Sequence, residues 1–76
     1  MLTNVSPNMV HFAVMAIGAT AKEMNVSPTA LYNRLEKWDL IQQLLFNCYD
    51  TLHAESLKGV VWNIQEALRN REARDN

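Results

Sequence analysis

Apolar residues recur along this chain at intervals of three and four, and no segment alternates with a period of two. Val10, Val14, Ile17, Ala21 and Met24 share a helical stripe, and Phe12, Ala13 and Ala16 broaden it. That spacing predicts a first helix from about Pro7 to Met24. Its opposite stripe is Asn8, His11, Met15, Gly18 and Lys22. Ser6-Pro7 and Ser27-Pro28 each read as a serine N-cap followed by proline at the first helical position, where the missing N–H costs nothing. Asn25 follows the last periodic residue and is the natural left-handed C-cap, with Val26 packing back behind it. A second helix, about Pro28 to Lys37, is expected to bury Leu31, Tyr32 and Leu35. Asp39 is then placed as the cap of a third helix that starts near Leu40 and carries Ile41, Leu44, Leu45 and Cys48. It either ends before Tyr49 or continues to His53, and periodicity does not decide. The fourth helix runs from about Ser56 to Arg71, with Leu57, Val60, Val61, Ile64 and Leu68 on one stripe. Arg69, Arg71 and Arg74 lie at its C-terminal end, where cations complement the helix dipole. The expected fold is therefore all-α: a compact bundle of four short helices, five if the third breaks before Tyr49, with an αα-corner between helices 1 and 2.

Length then limits what this bundle can be. Seventy-six residues make one helical domain over 1–76, with an ordered core at about 7–71 and a short flexible C-terminal tail. A chain this short buries only about 60% of its unfolded surface, and such scaffolds usually lean on a staple. Cys48 is the single cysteine, which excludes an intrachain disulfide. His11 and His53 are far apart and no Cys or His pair has ligand spacing, so neither a metal nor a cofactor is expected. Good helix packing or self-association remains. The net charge of −1 argues against nucleic acid and acidic membranes, whose ligands usually carry a basic excess. Met9 to Ala21 is too short to span a bilayer, and no basic segment precedes it as in a signal peptide. A cytoplasmic protein with a reduced thiol is the expectation.

Several constellations compete for function. Tyr49-Asp50-Thr51-Leu52-His53 gathers a phenol, a carboxylate and an imidazole in five residues. On a helix, Asp50 and His53 lie three apart and can hydrogen-bond, the carboxylate orienting the ring as in acid–base sites. No nucleophile stands beside them, since Thr51 and Ser56 read as turn and cap residues. The segment is either a polar knot or a partner-binding patch, and catalysis is the weakest reading. Trp62 falls off the apolar stripe, in line with Lys58, Gln65 and Arg69, so it is either covered by the termini or an interface anchor. His11, Met15 and Gly18 form a candidate self-association stripe, because small residues beside a methionine allow another helix to approach. Cys48 is expected to be buried and inert. Ala21 to Leu35 reads like a helix-turn-helix, with Thr29, Asn33, Arg34 and Lys37 directed at a major groove. Against that stands the scarcity of positive charge: on the would-be recognition helix only Arg34 and Lys37 are basic, and Glu36 sits between them.

A family likeness covers most of the chain, from about Met9 to Leu68. The run Val14 to Ala21, the helix end Ala21-Lys22-Glu23-Met24-Asn25-Val26-Ser27, the element Tyr49-Asp50-x-Leu52-His53 and the run Val60-Val61-x-Asn63-Ile64-x-x-x-Leu68 resemble a small bacterial domain-of-unknown-function family, number 3791. The Tyr-Asp-x-Leu-His element is its most specific part. This chain departs from it at Ala54, where members carry threonine, and at Asn63, where members often carry an acid. The resemblance implies a short bacterial protein of a family with no assigned enzymatic activity, and no enzyme is expected. It further implies a binding partner, antitoxin-like, for a neighbouring toxin or ADP-ribosyltransferase-like product. The leading functional expectation is a protein-interaction module using Tyr49, Asp50, His53 and Trp62. The alternative is a DNA-binding protein using the helix at 28–37.

Overall fold

A computed structural model describes residues 6–74 of the chain. Both Ser-Pro pairs open helices. The Ser6 hydroxyl accepts the Met9 N–H at 3.2 Å, and α1 spans Pro7–Met24. The Ser27 hydroxyl accepts the Ala30 N–H at 3.0 Å, and α2 spans Pro28–Lys37. Between them Asn25 takes a left-handed conformation with φ 60° and ψ 43°. Its N–H and that of Val26 donate to the carbonyls of Lys22 and Ala21 at 3.2 and 3.0 Å. This two-bond closure satisfies the last carbonyls of α1, and Val26 packs back on the core as expected.

The chain after α2 departs from expectation. Asp39 does not cap a following helix. It adopts φ 58° and donates its N–H to the Glu36 carbonyl, so it ends α2 as a left-handed turn residue. Ile41–Phe46 then forms a π-helical turn in place of an α-helix. The N–H of Asn47 reaches the Gln42 carbonyl five residues back at 2.9 Å, and the Gln42 side-chain amide donates to Asn47 Oδ1 across the same wide turn. The wider turn breaks the angular register that Leu44, Leu45 and Cys48 would share on an α-helix. Leu45 is buried, whereas Cys48 is exposed with its Sγ toward the Gln43 carbonyl at 3.6 Å. The expected buried thiol is thus at the surface. A separate one-turn helix, α3, covers Tyr49–Leu52, and Leu52 is buried. The Ser56 hydroxyl accepts the Gly59 N–H, and α4 spans Leu57–Arg74.

The molecule is all-α, with no strand among the described residues. Its long central helix is α1, against which α2, α4 and the π-helical turn pack. That central position explains a second correction. The buried residues of α1 are Ala13, Ala16, Ile17, Thr20 and Ala21, whereas Val10 and Val14, expected on the core stripe, are 47% and 65% exposed. Ala13, Ala16 and Ala21 let the three neighbours of α1 approach closely, with Ile17 as the one large side chain packed among them. Thr20 is fully buried and donates its hydroxyl to the Ala16 carbonyl at 2.7 Å, so its polar atom is satisfied inside the helix. Tyr32 and Leu57, also expected inward, stand exposed. The core is completed by Leu31 and Leu35 of α2, by Leu40, Ile41, Leu45 and Leu52, and by Val60, Ile64 and Leu68 of α4.

One polar clip joins elements distant in sequence. Arg34 Nε and Nη2 donate to the two carboxylate oxygens of Glu72 at 2.9 and 2.7 Å, tying α2 to the last turn of α4. Glu72 lies four residues, about one turn, beyond Leu68, and α4 continues past the expected end at Arg71 to Arg74.

Candidate functional site

Helix α3 organises the Tyr49–His53 element. Tyr49 and His53 lie one turn apart, and their rings stack with centroids 4.6 Å apart and planes 7° from parallel. Phe12 of α1 meets the Tyr49 ring edge-on, at 5.4 Å and 82°. The imidazole Nδ1 is 2.9 Å from the Tyr49 carbonyl oxygen. A carbonyl can only accept, so Nδ1 carries a proton in this contact. Asp50 is exposed, and among the described residues it makes no hydrogen bond or ion pair. The structure therefore does not bring Asp50 and His53 together: a backbone carbonyl and a phenol ring orient the imidazole in place of a carboxylate. Thr51 is exposed, and Ser56 is occupied as the α4 cap. What this arrangement offers chemically is a half-buried aromatic shelf with one imidazole face.

Trp62 stands apart from that shelf. It is 61% exposed on α4 and lines a cleft of about 400 Å³ with Ala19, Glu23, Leu57, Lys58 and Val61. The two places are linked through α1. Phe12 touches Tyr49, Ala19 lines the Trp62 cleft, and these residues are seven apart, so they share a stripe separated by roughly 10 Å of helix. Met15 lies between them, 49% exposed. The four candidate partner-binding residues thus divide into two groups on one flank of α1.

The self-association stripe lies on the outer face of the same helix. His11 is exposed and Gly18 half-buried, and a Cβ built on Gly18 would meet nothing within 4 Å among the described residues. On the other flank runs an apolar groove between α1 and α2, lined by Val10, Val14, Ile17 and Tyr32. Sequence reasoning missed this groove by assigning Val10, Val14 and Tyr32 to the core. A usable signal existed, since alanines on one edge of a helix and valines on the other leave two candidate inner faces.

Of the residues in the helix-turn-helix reading, Thr29 and Asn33 are exposed. The Arg34 guanidinium is held by Glu72, whose hydrogen bonds raise the arginine's already high pKa and hold the carboxyl of Glu72 below its ordinary value. Lys37 places its ammonium 4.9 Å above the Trp38 ring. The one strong phosphate-gripping side chain in the segment is therefore already paired.

Among the described residues no group of three or more His, Cys, Asp or Glu side chains is placed to hold a metal ion. Nor, among them, is any helix long and apolar enough to cross a membrane. Neither a curated protein nor a solved structure matches the chain. A family model does match, over residues 11–71, which takes in the Tyr49–His53 element, Trp62 and all but the first turn of α1. The chain accordingly belongs to the family described as "Protein of unknown function (DUF3791)".

Proposed function

We propose that this protein is a small protein–protein interaction module of the bacterial cytoplasm, with Trp62 as its anchor and the Tyr49–His53 shelf as a second contact. The observation that carries the reading is the 61% exposure of Trp62, beside Leu57 at 49%. Tryptophan is the residue type most enriched among binding hot spots, because its large ring loses little conformational freedom when covered. The aromatic shelf supports the same reading. Stacking fixes the His53 ring in advance, so presenting it to a partner requires little further ordering. The family resemblance makes a neighbouring ADP-ribosyltransferase-like product the first partner to try, with an antitoxin-like role.

The experiment is affinity capture from the native host with the wild-type chain and a Trp62→Ala/His53→Ala double variant. The captured partner is then titrated as a purified pair. Binding by the wild type that the double variant weakens on the order of 100-fold or more is the expected result. Equal binding by both chains would remove Trp62 and His53 from the interface.

A further inference from the structure

The groove between α1 and α2 has a definite chemistry. Two adjoining hollows of about 340 and 260 Å³ share Val14, Ile17 and Tyr32, and so form one continuous trough. Gly18 and Pro28 close one end, while Glu36 and Asp39 stand at the other. Among the described residues neither carboxylate has a hydrogen-bond or ion-pair partner from a side chain. An occupant that fits is an apolar helical ridge carrying a cation.

This chain presents such a ridge. On α4, Leu57 and Trp62 are exposed, and Lys58 lies one turn before Trp62 on the same face. Among the described residues Lys58 has no ion-pair partner of its own. We infer that the groove takes a second copy of this chain, which seats the Leu57–Trp62 ridge of its α4 between α1 and α2 and sets Lys58 toward Glu36 and Asp39. Three observations carry this. Lys58 is complementary to Glu36 and Asp39, with Glu23 the one carboxylate beside Lys58 and Trp62 in their cleft. The apolar surfaces are matched: the groove offers Val10, Val14 and Tyr32 and the ridge offers Leu57 and Trp62, each 45–65% exposed. Finally, a glycine in mid-helix weakens the helix, and nothing among the described residues requires the missing side chain of Gly18. A second helix approaching closely would require it.

Ridge and groove are different surfaces, so the contact is head-to-tail and each bound copy leaves one ridge and one groove for the next. The inference shares Trp62 with the reading above. Val14→Glu separates the two, because it leaves Tyr49, His53 and Trp62 in place.

The test is molar mass by sedimentation over a concentration series, with circular dichroism to check that each variant stays folded. The wild type is expected to grow beyond a dimer as concentration rises. Val14→Glu and Trp62→Glu should each weaken association by roughly 30-fold or more. An equimolar mixture of the two variants should form a 1:1 heterodimer and stop there, because one intact ridge meets one intact groove and no other good pair exists. A wild type that stays at monomer mass throughout overturns the inference. So does a Val14→Glu chain that associates like the wild type, or a mixture that forms no heterodimer. A monomeric wild type that loses some other protein partner through Val14→Glu would overturn the second copy as the occupant.

Discussion

The inner and outer faces of α1 belong to one helix yet, Ile17 apart, reverse the usual order of size. Inward stand Ala13, Ala16, Ile17, Thr20 and Ala21, and outward stand Val10, Val14 and Met15. Apart from Ile17, the inward side chains are smaller than the valines and the methionine left in water. A central helix is ranked by volume as well as by hydrophobicity, because its neighbours can come close only where it is slim. The exposed face is then left with more apolar surface than a solvated helix needs, which marks it as a surface to be covered.

Substitutions can break or sharpen this contrast. The largest effect belongs to the inner face. Ile17→Ala should lower the unfolding free energy by about 2–5 kcal/mol, since it opens a cavity among packed residues. Urea or thermal unfolding measures it, and a loss under about 1 kcal/mol would mean that the inner face is not packed as described. Gly18→Ala goes the other way. The added Cβ has open space and the helix gains propensity, so the isolated chain should be stabilised by about 0.5–1 kcal/mol. Destabilisation instead would show that Gly18 is needed within the chain itself.

Arg34→Ala probes the clip that holds α2 to α4. The pair is more than a third exposed, so its contribution is at most about 1 kcal/mol near neutral pH. The hydrogen bond from Arg34 lowers the pKa of Glu72, so the stabilisation is present above the ordinary carboxylate range and fades as pH falls through the lowered value. Wild type and variant should therefore converge in acid, and a gap that widened there would contradict the pairing. The smallest effect belongs to the outer face. Val14→Ser should shift monomer stability by no more than about 0.5 kcal/mol, a result that would sharply distinguish it from Ile17→Ala.

Local chemistry made much of this legible in the sequence. Ser6-Pro7, Ser27-Pro28 and Asn25 act through their own backbones and nearest neighbours, and all three take the predicted roles. The stripe Val60, Ile64 and Leu68 was equally clear, because polar residues flank it. What failed depended on long-range packing. Nothing local distinguishes an α-helical from a π-helical Ile41–Phe46, and that choice moves Cys48 from core to surface. Nor does α1 alone reveal that three elements crowd one edge and exclude its valines. Glu72 is 38 residues from Arg34, so no pattern could pair them. Of the candidate site, Trp62 was legible because it stood off the stripe. The carbonyl and ring partners of His53 were not, because they depend on α3 being a separate turn.

The claim that the outer apolar surface exists to be covered can be tested on Trp62 directly. A Trp38→Phe chain leaves Trp62 as the sole tryptophan, and the substitution also removes a buried indole N–H that has no hydrogen-bond partner among the described residues. Its fluorescence should show a solvent-exposed emission maximum in dilute solution and move to the blue as the chain is concentrated or its partner is added. Emission that stays solvent-exposed under every one of those conditions would contradict the account.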